Sequence, residues 1–253
     1  MTKQQLKLIQ SLQHKKFRKI HGLFIVEGLK MVHELLRSRF DVKHILVSQS
    51  WKAENPGFDF GNNTAEVISE KDFKPLSNFT TPPGILAVAQ IPETSTGAIK
   101  IDGLTLVLDG ISDPGNMGTI IRTAEWFGVK AIVCSADATD VWQPKVVQAT
   151  MGSVFRIPVF QADLPLFFNA IEKSIPVYGA LLEGNNLYLE KFNRQKPALL
   201  VIGSESHGIR ETVMPFITNP LTIPAHSSSG AESLNASVAT AIMLSRMLGS
   251  GRD

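Results

Sequence analysis

The stretch from Leu104 to Gly128 limits the possible folds more than any other part of this chain. Leu104 to Leu108 is an apolar run broken only by Thr105, as suits a strand covered on both faces. The run breaks at Asp109-Gly110 into a turn-rich loop, ISDPGN. Helical spacing resumes with Ile120, Ile121, Ala124 and Phe127. Pro114, Gly115 and Gly118 permit close backbone approach where a helix opens and free amide groups collect. Asn116 lies in that turn, and Arg122 follows six residues later in the helix it opens. Many such strand-to-helix turns are plain scaffolding, so these residues make a candidate site and no more. G-x-G-x-x-G is absent, which argues against a dinucleotide site.

The rest of the chain repeats the alternation. Before residue 91 the pattern predicts a helix on Leu6, Ile9 and Leu12, a strand over 23–26, and a helix on Leu29, Val32, Leu35 and Leu36. Strands follow over 45–47, 65–68 and 85–89, with a short helix over 71–76. These make a small α/β domain, residues 1–91. The polar segment PETSTGAIK, 92–100, reads as a linker. A second domain, 101–253, has strands predicted at 104–109, 130–134, 154–160, 176–181 and 198–202. Helices are predicted at 116–127, 144–151 and 163–173, and from about Ser233 onward. Strand–helix alternation predicts a parallel sheet with helices on both faces, and ligands in such sheets bind outside the strands' carboxyl ends.

Charge is unevenly distributed. Residues 1–45 hold ten Lys/Arg against three acids, a local +7 in a chain whose net charge is +2, so the remainder carries −5. Lys15, Lys16, Arg18 and Lys19 cluster between His14 and His21. A solvated helix face would explain them, but their density favours contact with phosphates. Cys134 is the only cysteine, which leaves no intramolecular disulfide and no cysteine-based metal cluster. No apolar run is long enough to cross a bilayer, and the first residues lack a signal-peptide core. These features predict a cytoplasmic protein without membrane or metal partners.

Two further signals lie at predicted strand ends. Leu199–Ile202 runs into Gly203-Ser204-Glu205, with Gly208 marking a second tight turn. Ordinary helix capping by Ser204, with Glu205 near the positive end of the dipole, would also produce this pattern. After Ile223-Pro224 a small-residue loop, HSSSGAE, leads to Ser233-Leu234-Asn235 and a helix carrying Val238, Ile242, Leu244 and Leu248. Capping by Ser233, with Asn235 a solvated first-turn residue, is the plain alternative there.

In order, N-x-G-x-x-x-R-T-A at 116–124, G-S-E-x-x-G at 203–208 and S-L-N at 233–235 resemble the three motifs of the SpoU (TrmH-like) branch of the SPOUT RNA methyltransferases. KFRKIHGLFIVEG at 16–28 resembles the substrate-binding domain often fused to them, itself similar to kink-turn-binding ribosomal proteins. The resemblance implies a C-terminal parallel-sheet domain with a deep trefoil knot, S-adenosylmethionine as cofactor, a homodimer, and methylation of a ribose 2′-hydroxyl. It implies that Gly203, Ile223 and Leu234 line the cofactor pocket. Asn116, Arg122, Glu205, Ser233 and Asn235 then form the catalytic, RNA-facing set. The basic first domain leans toward ribosomal RNA. Transfer RNA, or a non-catalytic RNA-binding or assembly role, are the alternatives. A guanidinium is always protonated, so Arg122 suits a phosphate better than the part of general base. Glu205 is then either the proton acceptor or the group that holds Arg122.

Overall fold

The computed structural model describes residues 1–93 and 99–249. The core of the 92–100 linker, 94–98, lies outside the described residues. The packing divides the chain into two units, one formed by Met1–Glu93 with Asp140–Arg156, the other by Thr94–Thr139 with Ile157–Asp253.

The first unit holds helices α1 (Lys3–Ser11), α2 (Lys15–His21), α3 (Leu29–Leu36), α4 (Gln49–Glu54) and α5 (Glu70–Phe73). Its strands are β1 (Leu23–Glu27), β2 (Val42–Ser48), β3 (Ala65–Ile68) and β4 (Ile85–Gln90). They form a mixed sheet of order β1-β4-β2-β3, in which only β2 and β3 run parallel. α1 starts in a capping box between Thr2 and Gln5, and its buried Ile9, with Leu12, packs on Ile25, Leu46 and Leu86 of the sheet.

A contiguous second domain, 101–253, does not describe the packing. Asp140–Arg156, which includes helix α7 (Pro144–Ala149), belongs to the first unit. Aromatic packing accounts for this. Trp142 and Phe155 both pack against Phe24 and Phe40, with ring centroids 4.7 and 6.4 Å from Phe24. Arg156 also pairs with Glu34. Periodicity finds the helix but carries no information on which sheet receives it.

The second unit is a six-stranded, wholly parallel sheet of order β10-β8-β9-β5-β6-β7. Its strands are β5 (Leu104–Asp109), β6 (Ala131–Ser135), β7 (Val159–Ala162), β8 (Val177–Asn186), β9 (Ala198–Gly203) and β10 (Asn219–Thr222), with helices α6 (Pro114–Trp126), α8 (Leu164–Asn169) and α9 (Ala236–Leu248). All six positions of β5 and all five of β6 are buried, as predominantly apolar strands in a doubly covered sheet are, with Thr105, Asp109 and Ser135 the buried polar members. From β5 the chain moves outward through β6 and β7, then returns on the other side of β5 with β8, β9 and β10. The strand order therefore reverses between β5 and β9, the position where parallel sheets open a crevice at their carboxyl edge. Asp109 and Gly203 lie opposite each other there, as the last residues of their strands.

Candidate active site at the carboxyl edge of the parallel sheet

Three segments meet at this edge. The first follows β5. Asp113 caps α6 by accepting a hydrogen bond from the Asn116 amide at 2.8 Å, and Pro114 takes the first helical position. Asn116 is thereby fixed in the first turn. The second segment follows β9. No helix begins at Ser204, contrary to the capping alternative. Instead Ser204 and Gly208 pair across a tight loop, the Gly208 amide donating to the Ser204 carbonyl at 2.8 Å and the Ser204 amide to the Gly208 carbonyl at 3.2 Å. Gly208 has φ +64°, and a Cβ at Gly203 would lie 2.0 Å from the Gly208 carbonyl carbon. The spacing G-S-E-x-x-G is thus a steric requirement of the loop that presents Glu205.

The third segment precedes α9, and its cap is Asn235 rather than Ser233. Asn235 Oδ1 accepts from the Ser237 amide at 3.0 Å, the Ser237 hydroxyl at 2.6 Å and the Val238 amide at 3.4 Å. With the oxygen committed to the cap, the Asn235 amino group must point the other way. It donates to Asn116 Oδ1 at 3.0 Å. The Asn116 amino group, oriented in turn, donates to Glu205 Oε1. A helix cap therefore polarises a chain of three side chains from three separate segments, and it ends on a carboxylate that only accepts.

Arg122, although on the same helix as Asn116, does not join this chain. It is exposed and makes no side-chain hydrogen bond or ion pair among the described residues. Six residues along an α-helix is about 9 Å and most of two turns, which points the two side chains to different places. Glu205 therefore holds Asn116 within the chain, and the pairing with Arg122 is not formed. Ser233 is exposed and likewise without a hydrogen bond among the described residues; Leu234 beside it is 46% exposed. Ile223 is half-buried just after the edge strand β10.

Two residues that sequence reasoning passed over hold the site together. Asp109 is fully buried and accepts from the Arg210 amide at 2.9 Å and from its Nε at 2.6 Å, with Nη2 closing the pair. Arg210 also reaches Asp137 at 3.1 Å. The hydrogen bond to Asp109 pushes the Arg210 guanidinium pKa up. The Asp137 carboxyl is held below its usual range, first by a hydrogen bond from Ser135 and to a lesser degree by Arg210. An acid closing an apolar strand, with an arginine directly after the G-S-E-x-x-G loop, was the available signal. Cys134 is buried, and burial pushes its thiol up to about 12, so it supplies no thiolate nucleophile at neutral pH.

The basic helix needs one correction. Lys15, Lys16 and Lys19 are exposed on α2, but Arg18 is only 3% exposed. Its guanidinium donates to the carbonyls of Leu12 and Gln13 at 2.7 and 2.8 Å and to Asp140 at 2.6 Å. Arg18 is thus a structural clamp, buried with four of its five N–H groups engaged, and of the four basic residues Lys15, Lys16 and Lys19 remain exposed.

The family model described as SpoU rRNA methylase matches residues 103–245, and the MRM3-like substrate-binding domain matches residues 3–87. The chain belongs to the SpoU rRNA methylase family. Among its SpoU relatives, the 23S rRNA (guanosine(2553)-2′-O)-methyltransferase of Bacillus subtilis is 31% identical over 247 residues, 97% of this chain and 96% of that protein. A TrmH-family structure from Porphyromonas gingivalis is 37% identical with a TM-score of 0.87, covering 98% of both chains. The AdoMet-bound rRNA methyltransferase of Sinorhizobium meliloti is 28% identical with a TM-score of 0.83, over 98% of this chain and 95% of that one. The SpoU model spans all three segments of the site, and no described helix is long and apolar enough to cross a membrane.

Proposed function

We propose that the Asn235–Asn116–Glu205 chain is the centre at which this SpoU-family methyltransferase places a methyl group on a ribose 2′-hydroxyl of ribosomal RNA. The polarised hydrogen-bond chain carries this reading. S-adenosylmethionine, when bound, supplies the methyl group on a sulfonium sulfur. The surroundings suit that cofactor, because Gly203 packs directly on the Gly208 backbone, Gly208 has open space where a side chain would stand, and Ile223 and Leu234 offer apolar surface close by in sequence to the site.

Methyl transfer from a sulfonium needs no metal, since the leaving group becomes neutral. A sugar hydroxyl, however, is a weak nucleophile and must be aligned and relieved of its proton. Asn116 is already oriented by the α9 cap, so it holds Glu205 in one rotamer. One Glu205 oxygen receives the Asn116 amino group, which leaves the other to accept the hydroxyl proton. Arg122 then binds the neighbouring phosphate. Because Asn116 and Arg122 diverge on α6, we assign Arg122 to a site completed by a second copy of the chain, in a homodimer. Ser233 lines the RNA side of the same centre, while Lys15, Lys16 and Lys19 grip phosphates further along the RNA. The family resemblance further implies a trefoil-knotted crevice for this site, and we assign the reaction to cytoplasmic ribosomal RNA.

The test is radiolabelled methyl transfer to rRNA purified from a strain lacking the gene, with none to parental rRNA. The product should resist alkaline cleavage at the modified position, because a methylated 2′-oxygen cannot attack the adjacent phosphate. A fragment with one 2′-deoxy nucleotide at that position should accept no label. Label on the deoxy fragment would place the methyl on a base and overturn the reading.

A further inference from the structure

The first unit carries a cavity of about 280 Å³ that the methyl-transfer reading leaves unused. Ile25 and Glu27 of β1, residues Asn78 and Phe79 of the loop before β4, and Lys145, Val147 and Gln148 of α7 line it. Ile25 and Glu27 share a face of β1 because strand side chains alternate.

Glu27 is the unusual member. It is 4% exposed, and among the described residues no cation pairs with it. Burying a carboxylate without a counter-charge is costly. Three neutral donors offset part of that cost: the Ser77 hydroxyl at 2.6 Å, the Asn78 amide at 2.9 Å and the Asn78 amino group at 2.8 Å. Ser77 Oγ in turn accepts from the Phe79 amide at 3.1 Å. The carboxylate thus organises the loop, and the loop presents Phe79 with its side chain 42% exposed. A carboxylate has about four acceptor positions, so one remains beyond the three in use. The Gln148 side chain makes no hydrogen bond among the described residues, and Lys145 is exposed at the rim.

An exposed aromatic face, a spare buried acceptor, a free amide and a rim ammonium surround an apolar floor. Nucleic-acid-binding proteins combine these groups where they hold an unstacked base, with stacking for the ring, acceptors and amides for its edge, and a cation for its phosphate. The cavity lies near the lower end of small-molecule sites, roughly 300 Å³, which suits a single base better than a cofactor. We propose that this pocket receives one unstacked base of single-stranded RNA, stacked on Phe79, with Glu27 as the residue that positions the loop. The choice of RNA as ligand rests on the methyltransferase reading above.

The experiment uses the full chain and fluorescein-labelled decamers rA10, rC10 and rU10, with a blunt RNA duplex as control. Fluorescence anisotropy should show tighter binding of the single strands than of the duplex. Phe79→Leu should weaken decamer binding about tenfold, the size of one base stack. Phe79→Trp should retain wild-type affinity. Lys145→Gln should weaken binding and flatten its salt dependence. In steady-state transfer to rRNA from the deletion strain, Phe79→Leu should raise KM and leave kcat unchanged. Wild-type decamer affinity in Phe79→Leu overturns the proposal, as does equal loss in the Leu and Trp variants, which would indicate an apolar partner surface. If the wild-type chain transferred no methyl to rRNA while the Leu/Trp difference held, the enzymatic reading would fail and the pocket would stand.

Discussion

Asp109 at the end of β5 and Arg210 just past the Glu205 loop are joined by a buried carboxylate–guanidinium pair whose carboxylate also accepts the Arg210 backbone amide. The pair ties the two strands that flank the crevice at the point where the strand order reverses. Glu205 stands on the loop between those anchors, so its reach to Asn116 depends on a pairing in which it takes no part.

Replacing Arg210 by Ala would leave the Asp109 carboxylate buried and unpaired. Removing one partner of a fully buried pair costs about 3–5 kcal/mol. Arg210 is 39% exposed, so water can replace part of it, and the expected loss is about 2 kcal/mol. Arg210→Lys should recover much of the stability and less of the activity, because an ammonium lacks the planar fork. Urea midpoints and kcat measured on both variants would check this. Equal kcat in Arg210→Lys and wild type would show that the fork geometry does not position Glu205.

Gly203→Ala is a sharper probe of the same loop. Its Cβ would meet the Gly208 backbone at 2.0 Å, and backbone cannot swing aside as a side-chain tip can. The loop should open, with S-adenosylmethionine affinity falling at least tenfold while the circular dichroism spectrum is kept. Calorimetric titration provides the readout. Wild-type affinity would remove Gly203 from the cofactor site.

Particular residues show how far the sequence could be read. The buried runs 104–108 and 199–202 stand out because they are apolar except for Thr105, and they pair side by side. Asn116, Glu205 and Asn235 were identifiable as residue types at strand ends, but their connection was not. The link runs through the Asn235 cap, a local geometry that periodicity does not encode. Arg18 misled for a related reason, since its neighbours Lys15, Lys16 and Lys19 are solvated and only the fold shows that Asp140 claims its guanidinium. The assignment of Asp140–Arg156 to the first unit depended on Phe24 meeting Trp142, two rings more than a hundred residues apart in sequence.

The α2 lysines can be separated from Arg18 by experiment. Neutralising Lys15, Lys16 and Lys19 together should weaken RNA binding and lower the salt slope by about one for each phosphate that a lysine no longer neutralises. Affinity for S-adenosylmethionine and the urea midpoint should stay put. Arg18→Gln should do the opposite, lowering the midpoint because Asp140 and the Leu12 and Gln13 carbonyls lose their donor. An unchanged salt slope in the triple variant would make that helix face merely solvated.

The divergence of Asn116 and Arg122 on α6 leads to a test that needs no structure of an assembly. Asn116→Ala and Arg122→Ala should each be inactive alone, since one removes the side chain bonded to Glu205 and the other the guanidinium proposed to bind the phosphate. In a two-fold dimer whose sites take Asn116 from one copy and Arg122 from the other, a mixed pair has one site with both residues intact and one with neither. Random pairing makes half the dimers mixed, so mixing equal amounts after unfolding and refolding should restore about a quarter of wild-type activity. If Arg122 served the site of its own chain, every copy in the mixture would lack one residue and no activity would return. A mixture that stayed inactive while forming dimers by light scattering would therefore place Arg122 and Asn116 in one chain's site, and the proposed role of the second copy would have to be dropped.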